Sequence, residues 1–107
     1  MYYSILYYEK VPIALACLST KRHIVRFSKL KHKNLANDFY LMCVESIKYD
    51  LEQLNKDAKR LNEQDLLSEF NESTQYLANS FRFSKVKYIK TTDFDLEVIK
   101  LIQTFNN

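Results

Sequence analysis

Six cations fall within thirteen positions of this chain: Lys21, Arg22, Arg26, Lys29, Lys31 and Lys33. Cations spaced along extended backbone can follow a phosphate track, and single-stranded nucleic acid adds a need for flat rings on which unstacked bases sit. Tyr3, Tyr7 and Phe27 supply rings on neighbouring strands. Lys85 and Lys87, with Arg82 and Tyr88, extend the surface if their strand lies beside the one bearing Arg26. The chemistry expected is polyanion recognition, of nucleic acid or of an acidic protein surface. The competing reading makes the tyrosines core or interface residues and the lysines the charges that keep a sheet edge soluble.

Other reactive side chains are sparse. His23 and His32 are the only histidines, and no Cys/His spacing matches a zinc finger or a His-x-x-x-His helix face, so no metal site is expected. Cys17 and Cys43 each sit in an apolar run and read as core thiols suited to a reducing cytosol. The carboxylate pairs Asp93/Asp95 and Asp50/Glu52 fit helix starts or solvent faces. Catalytic triads assemble in space, so spacing neither supplies nor removes one; no catalytic residue and no cofactor is assigned. The chain contains no glycine at all, which excludes a Walker A loop, a dinucleotide fingerprint and an EF-hand in their usual forms.

At 107 residues, with 47% hydrophobic and 27% charged side chains, the chain has the balance of a single soluble domain spanning residues 1–107. Its net charge of +3 is unevenly spread: +6 over residues 1–33, −5 over 34–79 and +2 over 80–107. Such a dipolar field steers partners, and it can draw two copies together. Met1–Tyr8 has no positive charge ahead of it and no small-residue cleavage site behind it, and the longest apolar run is Ile13–Leu18. A cytoplasmic protein that does not enter the membrane is expected.

The elements that must position these residues follow from periodicity. Tyr2–Tyr8 and Pro12–Leu18 read as a hairpin closed by Glu9, Lys10 and Val11, and neither face of the first strand is truly polar. Ile24–Leu30 reads as a third strand, with Val25 and Phe27 pointing one way and Arg26 and Ser28 the other. Asn34 stands as a helix cap before Ala36, Tyr40, Cys43, Ile47, Leu51, Leu54, Ala58 and Leu61. Their 3–4 spacing predicts one helix of about 26 residues, roughly 39 Å long. A stripe of that length exceeds the width of a small sheet, so part of it is expected on another helix or on a partner chain.

A second, weaker helix is expected between Asn62 and Asn71 and beyond, anchored by Leu66, Leu67, Phe70, Tyr76 and Leu77. Arg82–Lys90 alternates apolar with basic residues as a fourth, edge strand. Thr92-x-x-Asp95 opens a last helix in which Phe94, Val98, Leu101 and Phe105 share a face. The order predicts an α+β fold: a small antiparallel sheet of three N-terminal strands plus one later strand, with a long central helix and one or two further helices on one face.

This order of hairpin, third strand, basic loop, long helix and the segment Asn71–Ile89 resembles that of GNAT acetyltransferases. The resemblance implies a pyrophosphate-receiving loop at Lys29–Asn37 and matches Tyr76 to that family's acid. The family's loop contains glycine and this one does not, so what is implied is a degenerate relative without cofactor. Three functions stand as expectations: a non-enzymatic module binding nucleic acid or an acidic partner, a protein–protein adaptor or homodimer built on the long helix, and an acyltransferase-like relative.

Overall fold

The computed structural model of the protein describes residues 1–31, 37–75 and 77–106. Strands β1 (Tyr2–Tyr8), β2 (Val11–Ser19) and β3 (Ile24–Lys29) run antiparallel in succession. The first turn is two residues long, one fewer than expected, because β2 begins at Val11. Glu9 takes φ 55° there, a left-handed conformation that a glycine would adopt at less cost. The register shifts between Leu6 and Tyr7, with Leu6 opposite Ala14 and Tyr7 opposite Pro12. The extra residue, Ile13, joins Ala14 on the same buried cluster, as a bulge permits.

Asn37 caps helix α1 (Asp38–Asp57), its side chain accepting the Tyr40 amide at 2.8 Å. Asn34, the cap expected from sequence, lies outside the described residues. A 3-10 turn at Ala58–Arg60 ends this helix, and Asn62 caps α2 (Glu63–Ser73) by accepting from the Asp65 amide. The second helix therefore stops before Leu77, which belongs instead to β4 (Leu77–Ala78). The β4 strand turns through Asn79 and Ser80, at φ 54° and 70°, into β5 (Phe81–Phe83). Positive φ at both central residues is the hairpin geometry that matches strand twist.

The stretch read as one fourth strand is two short ones, β5 and β6 (Lys87–Tyr88), both paired antiparallel with β1. The break between them is filled by serines. Buried Ser4 donates its hydroxyl to the Ser84 carbonyl at 2.5 Å, and the Ser84 hydroxyl accepts the Ile5 amide at 2.9 Å. The sheet order is β3-β2-β1-β5-β4, with β6 also on β1. Strands β5 and β6 are thus separated from β3 by β2 and β1, and do not lie beside it.

The fold is α+β: a small antiparallel sheet, a long first helix and two more helices. Helices α1 and α2 cover one face, where Leu6, Leu18, Val25 and Phe81 meet Ile47, Leu51, Leu66 and Phe70. Helix α3 (Phe94–Asn106) adds a layer on the other, packing Phe94 and Val98 on Ile5, Leu15 and Cys17. The apolar second face of β1 and β2 requires that cover, since exposed it would leave a large apolar patch in water. Among the described residues no helix is long and apolar enough to cross a membrane.

Candidate nucleic-acid interface

The β2–β3 turn and the loop from β6 to α3 meet at one end of the sheet because β1 pairs Tyr2 with Leu18 on one side and with Tyr88 on the other. Each loop is held by its own hydrogen bonds. In the turn, Ser19 Oγ accepts the Arg22 amide at 3.2 Å, and His23, at φ 54°, donates Nδ1–H to the Ala58 carbonyl at 2.9 Å. That bond explains the half-buried histidine as a tie between turn and helix end. In the other loop, the Ile89 amide bonds the Met1 carbonyl, Thr91 Oγ1 accepts the Asp93 amide, and Asp93 Oδ1 caps α3 through the Leu96 amide. Asp93, not Thr92, is therefore the cap of the last helix.

Between these loops lies a cleft of about 590 Å³. Lys21 and Arg22 stand on one wall, Lys90 on the other, and the hydroxyls of Thr20, Thr91 and Thr92 line it between them. Tyr88, 61% exposed, also lines the cleft and meets Tyr2 edge-on at 5.0 Å. Flat rings beside cations and hydroxyls are the groups that a stacked base and its phosphate require.

The electrostatics of this end turn on Asp95. Its carboxylate accepts from Arg26 at 2.6 Å and from Arg22 at 3.2 Å, and those two hydrogen bonds, the Arg26 one foremost, hold its pKa below the usual carboxylate value. Both guanidinium groups also lie over the Phe94 ring, at 5.2 and 5.9 Å. One carboxylate cannot neutralise two arginines, so the trio retains a positive charge beside Lys21 and Lys90. No ion pair holds either lysine among the described residues.

The cations grouped by sequence are separated into three places. Lys21, Arg22 and Arg26 gather at the cleft end of β3. Lys29 lies at the far end of that strand, three residues and about 10 Å beyond Arg26, and bonds Glu45 of α1 at 3.0 Å, lowering the Glu45 pKa. Lys31 is exposed nearby, its amide donating to Asn106, whereas Lys33 and His32 lie outside the described residues. Lys85 and Lys87 stand beyond β1 on the opposite margin of the sheet, where Lys85 lines a separate cleft with Arg82, Asn71 and Gln75.

The rings divide too. Phe27 packs against the α1 face and is removed from any strand-borne cation track. Tyr3 and Tyr7 are half-buried in the second cluster, with Arg82 over the Tyr7 ring at 5.2 Å. The residues that complete the cleft, Lys90, Thr91 and Tyr2, were not singled out from sequence as part of a site. Their only signal is the long-range pairing of Tyr2 with Tyr88.

No family model, curated protein or solved structure matches this chain. The loop at Lys29–Asn37 and the Tyr76 matched to acetyltransferases lie partly or wholly outside the described residues. Among the described residues no group of three or more His, Cys, Asp or Glu is placed to hold a metal ion. Burial pushes the Cys17 thiol up to about 12, which makes it a poor nucleophile.

Proposed function

We propose that the protein is a small non-enzymatic module that takes single-stranded nucleic acid into the cleft between the β2–β3 turn and the β6–α3 loop. One observation carries this reading: loops far apart in the chain bring Lys21, Arg22, Lys90 and the exposed ring of Tyr88 to one cleft. Lysines supply point charges for successive phosphates, Arg22 a planar donor set, and Tyr88 a surface for one base. An acidic protein surface would use the cations and leave the ring without a purpose, so nucleic acid is favoured over it.

Fluorescence anisotropy with labelled single strands of about a dozen nucleotides, RNA and DNA, and with their duplexes, tests this at two salt concentrations. Single strands are expected to bind more tightly than duplexes, and more weakly as salt rises. Lys21→Glu with Lys90→Glu should lower affinity at least tenfold and flatten the salt slope by about 2. Tyr88→Ala should cost about 1–3 kcal/mol. Absence of binding at low salt, binding indifferent to the double substitution, or binding to polyglutamate in place of nucleic acid would each overturn the reading.

A further inference from the structure

Helix α1 carries two stripes. The first, Tyr40, Cys43, Ile47, Leu51 and Leu54, is buried on the sheet within the chain itself. The second runs Phe39, Met42, Ser46, Tyr49 and Gln53, at spacings of 3, 4, 3 and 4, about 130° round the helix from the first. That is the spacing of a seam that receives another helix. Three of its side chains are large, apolar and open to solvent: Phe39 is 57% exposed, Met42 70% and Tyr49 61%. Small Ser46 sits at the middle, where it permits close backbone approach.

The positions bordering that seam decide what fits it. On one side they are Asp38, Glu45 and Glu52, and on the other, past buried Cys43, Asp50 and Asp57. A second copy laid on the seam, parallel or antiparallel, would bring carboxylates against carboxylates along both borders, which disfavours pairing. Glu45, Glu52 and Asp57 hold ion pairs with Lys29, Lys48 and Arg60 on the exposed surface, and pairs of that kind are weak enough to exchange.

We infer that the outer face of α1 is a docking seam for an amphipathic helix of another protein, one with apolar anchors at i, i+3 and i+7 and lysine or arginine on both flanks. The apolar anchors fill the line from Phe39 to Tyr49, and the basic flanks meet the two acidic borders. Lys56 closes the seam toward its C-terminal end. The site is on the other side of the sheet from the α3 layer and does not depend on the nucleic-acid reading.

The probe is a pair of synthetic helical peptides of about 21 residues, three heptads, both with leucine at the seam positions, one with lysine and one with glutamate on the flanks. Titration calorimetry, with amide chemical-shift mapping, should show the basic peptide binding at micromolar concentration with shifts along α1, and the acidic peptide at least tenfold weaker. Met42→Ser should weaken the basic peptide at least tenfold. Glu45→Lys with Glu52→Lys should reverse the preference between the two peptides. Both variants are at exposed positions, and unchanged far-ultraviolet dichroism establishes that they fold. Equal binding of the two peptides, no binding of either at millimolar concentration, indifference to Met42→Ser, or self-association through α1 each overturns the inference.

Discussion

The two faces of the sheet are built differently. Among the described residues, the cluster against α1 and α2 has seventeen buried side chains and six half-buried ones; that against α3 has seven and seven. The first face is closed by apolar contact, with Phe70, Phe81, Leu66 and Leu6 sealed from solvent. The second is closed at one end by Phe94 and Val98 but remains half-open under Leu101, Ile102 and Phe105, and its rim is polar, with Arg22 and Arg26 meeting Asp95 over the Phe94 ring. Most of the cooperative stability is therefore expected from the first face. The second face, with fewer buried contacts to lose, is where Arg22 and Arg26 are presented, whereas the exposed Tyr88 ring pairs with Tyr2, whose side chain packs on the first.

The largest effect that can break this contrast is truncation in the two layers. Phe70→Ala should lower unfolding free energy by about 3–5 kcal/mol, as for a fully enclosed ring, and Phe105→Ala by no more than about 1.5 kcal/mol, its side chain being half-buried. Urea titration measures both, and equal losses would mean that the faces contribute alike.

A smaller effect concerns opening. Cys17 lies beneath α3 and Cys43 on α1, both buried. Leu101→Ala should speed alkylation of Cys17 in the native protein severalfold while leaving Cys43 at its original rate, because loosening α3 exposes only the second face. Parallel acceleration of both thiols would show that the layers open together.

The smallest effect is electrostatic. Hydrogen bonds from Arg26 and Arg22 keep the Asp95 pKa below its unfolded value, so its contribution to stability is present above the unfolded carboxylate range, near pH 4, and is lost as pH falls through the folded value. Stability curves of the parent and Asp95→Asn should therefore differ slightly at neutral pH and merge in acid. The same substitution frees both guanidinium groups and should raise nucleic-acid affinity a few-fold.

Much of this architecture could be read in the sequence where local pattern governs it. The opposed directions of Val25 and Arg26, and the buried stripe from Tyr40 to Leu54, follow from periods of 2 and 3.6. What was not legible depended on turn chemistry or on distance. Without glycine, Asn79–Ser80 carries no hairpin signal, so the apolar spacing alone extends the second helix over Leu77. The third layer was foreshadowed by the apolar second face of β1, yet nothing local says which helix covers it. Lys90 and Tyr88 join Lys21 only through pairing across the sheet, and the outer seam of α1 was masked by the stronger stripe on the same helix.

The margins of the sheet have a bearing on assembly. At one, the Val25 amide of β3 is occupied by Asn55 Oδ1 at 2.8 Å; at the other, the outermost strands β4 and β6 are only two residues long. Blunted edges offer poor templates for a foreign strand, so crowding at high concentration should not seed fibrous, backbone-to-backbone growth from the native state.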